Sequence, residues 1–171
     1  MTRKAAELGL RLKLYMLVGV PCEREDGIRA TQKLVAEVKK TGASLYLSVD
    51  TLVPKPQTPL QCHPMAPLDY LKRAIEEMRR APHGEFSYYD PMLAVAQAAI
   101  ALGGREAARL IEEAALSNSP RAYWRKMLRV GELDYVFKPR EEPLPWSHVH
   151  GFYTPSQLRK IYEAFLEAAC G

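Results

Sequence analysis

Two short runs in this chain hold residue types that could do chemistry. The first, Gly19-Val20-Pro21-Cys22-Glu23, follows an aliphatic stretch and precedes a helical pattern. In parallel α/β sheets ligands bind at such strand ends, and a glycine there lets a ligand approach the backbone. A plain strand-to-helix turn accounts for the same five residues, with Gly and Pro chosen for their backbone angles and Glu23 complementing a helix N-terminus. The second run is Val53-Pro54-Lys55-Pro56-Gln57-Thr58-Pro59. Its three prolines exclude both ladder pairing and helix, so the chain must leave a sheet there as a stiff extended loop. That stiffness is expected to matter more than any one side chain. Lys55 could meet an anionic group in this loop, or simply be solvated.

The remaining chemistry-bearing residues have blander readings. Cys62-His63, with His83, His148 and His150, supplies soft-metal donors, but no second cysteine pair completes a structural zinc spacing, and no metal site is assigned. His148 is expected to be a hydrogen-bonded structural histidine. Trp124, Trp146 and Tyr123 could stack on bases, although aromatic residues beside short helices usually belong to a core. Lys72, Arg73, Arg79 and Arg80 form one basic cluster at helical spacing, and Arg121, Arg125, Lys126 and Arg129 form another. Such stripes are commonly solvated faces, and the second is where phosphate contacts would be sought.

Bulk properties bound these readings. The 171 residues suffice for one domain, or for a small domain with an appendage, and 47% hydrophobic and 26% charged residues argue against disorder. The net charge of +4 is compatible with a phosphate-bearing partner without demanding one. Cys22, Cys62 and Cys170 are distant and odd in number, which does not read as a disulfide framework and fits a reducing cytoplasm. No apolar run reaches eighteen residues, so no membrane partner is expected.

The elements that must position the two runs follow from periodicity. Residues 2–10 read as the tail of a helix closed by Gly9, an opening which suggests that something precedes it in the parent architecture. Residues 12–18 read as a strand buried on both faces, as in a parallel sheet covered by helices. A helix over 25–40 places Ile28, Leu34, Val35 and Val38 on one stripe, and a second strand over 45–52 follows Gly42. Strand, helix, strand implies a right-handed crossover between parallel neighbours. A helix over 68–80 turns Leu71, Ile75 and Met78 inward. Beyond residue 82 the pattern becomes helical: 92–102 is Ala-rich, 105–116 carries Ala108, Ile111 and Ala115 on one face, a third helix near Pro120 holds Trp124, Met127 and Leu128, and Thr154-Pro155 opens a last one. Two domains are expected, 1–82 and 83–171.

In their order and spacing these motifs resemble the late part of a radical S-adenosylmethionine (SAM) enzyme. In methylthiotransferase-like members one strand ends in Gly-x-Pro-x-Glu, matched by Gly19, Pro21 and Glu23. The next ends in Pro-x-Pro-x-Thr-Pro, matched by Pro54, Pro56, Thr58 and Pro59. Phe86-Ser87-Tyr88-Tyr89-Asp90-Pro91, Tyr123-Trp124 and Glu142-Pro143-Leu144-Pro145-Trp146-Ser147-His148 resemble the C-terminal region of an uncharacterised branch of that family. The resemblance implies an α/β fold: the end of a partial (β/α) TIM-like barrel with two parallel strands, followed by an α-helical C-terminal region. It implies SAM and a 4Fe–4S cluster in the parent enzyme, with Gly19, Val20, Asp50, Leu52 and Val53 contributing backbone and apolar contacts to SAM. The family's Cys-x3-Cys-x2-Cys loop is missing, so the cluster is not expected on this chain and the chain alone is expected to be inactive. The implied partner is an N-terminal barrel half, on the same parent chain or separate, with self-association of the isolated piece as another outcome and RNA as a further partner. The rival reading is a stand-alone, non-catalytic binding or assembly module.

Overall fold

The computed structural model describes residues 2–149 and 151–171, so His150, weighed above as a metal donor, lies outside the described residues. Backbone contacts divide the chain into two compact units. One takes the chain to Leu52 together with Asp69–Tyr89, and the other takes Val53–Leu68 together with the chain from Asp90.

The first unit is α/β. Helix α1 (Thr2–Glu7) ends at Gly9, whose φ of 64° is open to a residue without a Cβ. Strand β1 (Arg11–Val18) leads into helix α2 (Glu25–Lys40), strand β2 (Ser44–Thr51), helix α3 (Leu68–Arg79) and strand β3 (Glu85–Tyr88). All pairings are parallel, in the order β1-β2-β3, with Val18 opposite Thr51 and Ser48 opposite Ser87. Two strands were expected, and β3 is a correction. It spans only four residues, too short for a period of two to stand out, and its pairing with β2 is a tertiary event. Gly84 permits it, because a Cβ there would meet the Leu45 carbonyl oxygen at 2.8 Å.

Successive right-handed crossovers that step along a sheet in one direction put their helices on one face. The burial pattern follows that rule. Leu45, Leu47, Val49 and Thr51 of β2 are buried, as are Ile28 and Val35 of α2 and Leu71, Ala74, Ile75 and Met78 of α3. The expectation that β1 is buried on both faces fails: Arg11, Lys13, Tyr15 and Leu17 alternate as exposed residues along it. Leu34, expected on the inward stripe of α2, is 57% exposed.

The second unit is helical among its described residues. Helix α4 (Pro91–Leu102) is buried at Met92, Ala94, Val95, Ala96, Ala98, Ala99 and Leu102, the pattern of a helix with neighbours on several sides. Its N-terminus is capped by Asp90, whose Oδ1 accepts from the Met92 N–H at 2.9 Å. Helix α5 (Glu106–Leu116) buries Ala107, Leu110 and Ala114 rather than the expected Ala108, Ile111 and Ala115. Both sets satisfy helical spacing, and contact with α4 and helix α6 (Pro120–Arg129) selects the first. A 3₁₀ turn (Asp134–Phe137) is anchored by the Tyr135 hydroxyl, which donates to the Ala99 carbonyl at 2.7 Å. Helix α7 (Pro155–Cys170) begins with a reciprocal Thr154–Gln157 capping box. Among the described residues no helix is long and apolar enough to cross a membrane.

Candidate functional site

The site is built at the carboxyl end of the β1–β2 pair, where the sheet stops and its backbone turns away. Parallel pairing continues past the last ladder residues, since the Leu52 N–H donates to the Val18 carbonyl at 2.9 Å. Gly19 and Leu52 therefore lie at one rim, with Val20 following. Gly19 takes a φ of 81°, a conformation glycine adopts without strain, and it is buried. Asp50 lies opposite Leu17 in the register, and both are exposed on the face away from α2 and α3. Four of the five residues expected to contact SAM are thus gathered in the first unit. Val53, next in sequence, begins the second.

Glu23 organises this rim. Its Oε2 accepts from the Gly19 N–H at 2.7 Å and from the Tyr70 hydroxyl at 2.9 Å, so a carboxylate from the loop ties the strand end to α3. The bond also occupies the one N–H that Gly19 could have offered a ligand. Burial, reinforced by the Glu23 carboxylate, pushes the Tyr70 phenol well above its ordinary value, so it remains a donor. One rim atom is unspent: the Thr51 Oγ1 is buried without a hydrogen-bond partner.

Below the rim the exposed face of the sheet is polar. The Tyr46 hydroxyl donates to Ser87 Oγ at 2.7 Å, and Ser87 Oγ donates to Ser48 Oγ at 3.3 Å, a chain of hydroxyls crossing β2 and β3. Lys13 lies over the rings of Tyr15 and Tyr46, at 4.6 and 4.7 Å from their centroids. Arg11 pairs with Glu85. Sequence reasoning gave no role to Lys13, Tyr15, Tyr46 or Ser48, and quoted Ser87 only within the resemblance. The signal of the first four was present as polar residues at alternate positions of β1 and β2, which a strand buried on both faces would not carry.

The proline-rich run belongs to the second unit and is held rather than free. Pro54 is wholly buried. Gln57 adopts a φ of 57°, and its Nε2 donates to the Val149 carbonyl at 2.9 Å. Gln61 Oε1 accepts from the Gln57 N–H at 3.0 Å and from Trp146 Nε1 at 2.8 Å. Arg140 donates from its backbone to the Cys62 carbonyl at 3.0 Å and from its guanidinium to the carbonyls of His63 and Tyr135 at 3.1 and 3.2 Å. Sequence reasoning missed Gln61 and Arg140, whose roles depend on partners about 80 residues away. Lys55 is half-buried, and desolvation lowers its ammonium below the ordinary lysine value.

The other candidates scatter. Cys62 is half-buried, and burial, then the Glu142 carboxylate, push its thiol up, away from a reactive thiolate. His63 Nδ1 lies 2.7 Å from the Tyr162 hydroxyl. His148, expected to be hydrogen-bonded, is exposed. Among the described residues no three His, Cys, Asp or Glu side chains gather as metal ligands. Trp124 is buried beside Tyr123, whose hydroxyl donates to Glu113, so neither ring of that pair is presented flat for stacking. No family model matches the chain, and neither a curated protein nor a solved structure does.

Proposed function

We propose that this chain is the C-terminal portion of a cytoplasmic radical SAM iron–sulfur enzyme, contributing part of the SAM pocket and a helical region for substrate or partner. The observation that carries the reading is the winding of the sheet. Parallel order β1-β2-β3 without reversal, with helices on one face, is consistent with a segment of a (β/α) barrel. A doubly wound sheet would reverse its strand order and cover both faces. The loops at the carboxyl ends of β1 and β2 carry the Gly19-x-Pro21-x-Glu23 and Pro54-x-Pro56-x-Thr58-Pro59 patterns, where a barrel binds its ligand.

SAM fits this rim in kind. Asp50 offers an exposed carboxylate for ribose hydroxyls, and Val20 and Leu52 offer apolar surface for a purine, with Val53 adjoining in sequence. Gly19 would give its close backbone approach rather than its N–H, which Glu23 holds. A 4Fe–4S cluster does not fit, because Cys22, Cys62 and Cys170 lack the family's loop spacing. No step on this chain runs through a cluster.

The test is reconstitution. This chain, co-expressed with a barrel half that carries a Cys-x3-Cys-x2-Cys loop, is expected to form an assembly that binds SAM and releases 5′-deoxyadenosine on reduction, while the chain alone does neither. A stable assembly that fails to bind SAM overturns the reading. A second reading, a stand-alone RNA-binding module, draws on α6, where Arg125, Lys126 and Arg129 are exposed and in no ion pair among the described residues. Affinity for single-stranded RNA that falls steeply with salt, lost when these three are neutralised, would favour it.

A further inference from the structure

Gln61 is 6% exposed, and its amide is committed on one side only. Its Oε1 receives two N–H donors, from Gln57 and from the Trp146 indole. Only a carbonyl oxygen can accept both, so the orientation of the amide is fixed by its network and the NH2 group points the other way. That NH2 carries two donor hydrogens and has no hydrogen-bond partner among the described residues. The NH2 is not sealed from solvent, so its two hydrogens are available to an acceptor that enters beside it.

Space for an acceptor is present. Gln61 lines two adjoining clefts of the second unit, of about 220 and 310 Å³, which share Glu142, Pro155 and Leu158. The smaller is also lined by Trp146, Phe152 and Tyr153. Phe152 and Tyr153 are 105% and 57% exposed, an aromatic pair turned outward rather than into the core. Glu142 is the one charged side chain among the described lining residues of that cleft, and Arg159 lies 3.5 Å from it. The charge is therefore met within the protein, and the cleft suits an uncharged ligand. At about 220 Å³ it falls below the range of drug-sized pockets and holds a single ring system.

We propose that this cleft binds a planar, uncharged ring bearing a carbonyl, whose oxygen accepts from Gln61 Nε2 while the ring lies against Trp146, Phe152 and Tyr153. Uracil and 2-pyridone belong to that class. The site uses only residues of the second unit and requires neither SAM nor a barrel-completing partner, so its failure and the failure of the radical SAM reading are separable.

The probe is uridine, titrated into the whole chain labelled with nitrogen-15, following the Trp146 indole N–H and the Gln61 side-chain amide. Saturable shifts of both are expected, and pyrimidine, which keeps the ring and lacks the carbonyl, is expected to produce none. Gln61→Glu keeps an acceptor for Gln57 and Trp146 and deletes the donor pair, so uridine should bind at least about tenfold more weakly. Phe152→Ala removes a side chain that supports no packing and should also weaken binding with the fold intact. If Gln61→Glu does not fold, the Phe152→Ala variant and the pyrimidine comparison decide. No saturable shift with uridine overturns the proposal, as does pyrimidine binding as tightly as uridine, or uridine binding both variants like the parent chain.

Discussion

The sheet of the first unit and the proline-rich loop of the second carry polar groups in opposite ways. On the sheet, Lys13, Tyr15 and Asp50 stand exposed, and Lys13 lies over the rings of Tyr15 and Tyr46, none of them sealed from solvent. In the loop, the carbonyls of Gln61, Cys62 and His63 are each taken up by Arg140, and the Gln61 side chain is shared between Gln57 and Trp146. Polar groups that are buried must be paired, whereas exposed ones can wait for a partner. The loop's carbonyls are thus largely taken up within the protein, whereas the open face of the sheet leaves its polar groups in solvent. Substitution should separate the two: changes in the loop should register as stability, and changes on the sheet as association.

The largest effect is expected at Gln61. Gln61→Leu fills the same space and removes the acceptor of two N–H groups, leaving the Gln57 and Trp146 donors without partners. The loss should be about 2–6 kcal/mol, from roughly 1–3 kcal/mol for each of the two unsatisfied groups. Urea unfolding followed by Trp146 fluorescence measures it. A loss below about 1 kcal/mol would place the loop among ordinary surface segments and break the contrast.

Next comes Pro54. Its stiffness was expected to serve a ligand-binding edge, with little consequence for melting. Its complete burial changes the balance, because Pro54→Ala now opens a small void and also frees the unfolded chain, together worth about 1–2 kcal/mol. Pro56→Ala, at a half-buried position, should lose less. Thermal melts of the two single variants rank them. Equal and negligible shifts would restore the reading in which the prolines only pre-set the path of a ligand-binding rim.

What the sequence disclosed divides along the same line. Both long strands, the crossover helix and the Pro-rich exit were legible, because β-branched runs, a 3.6-residue stripe and prolines act through neighbours in sequence. Gly19, Val20, Asp50 and Leu52 were named through the family resemblance, and what strand ends alone made legible was only that the chain turns out of the sheet there. β3 was missed because four residues acquire their meaning only beside β2. The stripe of α5 was misplaced by one residue because Leu110 and Ile111 are adjacent and equally apolar, so the neighbouring helices decide which faces inward. Gln61 and Arg140 stayed invisible for the same reason, since nothing local marks a Gln or Arg that will meet carbonyls and donors from the far end of the chain.

A smaller stability effect sharpens the other side of the comparison. Tyr15 and Leu17 are 68% and 47% exposed on β1, an edge strand of eight residues in this sheet. Replacing both with serine should change the stability of the isolated chain by no more than about 0.5 kcal/mol. Parallel sheets are ordinarily covered on both faces, and a long open edge invites another chain, so the same change should reduce self-association or assembly with a barrel half. Sedimentation velocity over a concentration series reports it. Unchanged association, or a monodisperse monomer of the parent chain at high concentration, would show that this face is complete as it stands.

The smallest expected effect is pH-dependent and belongs to the loop. Burial lowers the imidazole of His63 below its ordinary value of 6.5. The unfolded chain therefore takes up a proton at a higher pH than the folded one. A group whose folded value is depressed stabilises fully above its unfolded value, and that contribution is lost as pH falls from about 6.5 through the folded value. Beside it, the Arg140 guanidinium bonds the His63 carbonyl, and Tyr162 on α7 is held within 2.7 Å of Nδ1 by a hydrogen bond that a neutral ring can accept. Acidification from neutral pH should therefore loosen the seat of α7 on the loop before the rest of the second unit responds. Amide exchange along α7, compared at pH 7.5 and 5.5 in the parent chain and in His63→Gln, isolates this contribution. Faster exchange near Tyr162 at the lower pH in the parent alone is the expected outcome. The same acceleration in His63→Gln would show that the imidazole is not its source.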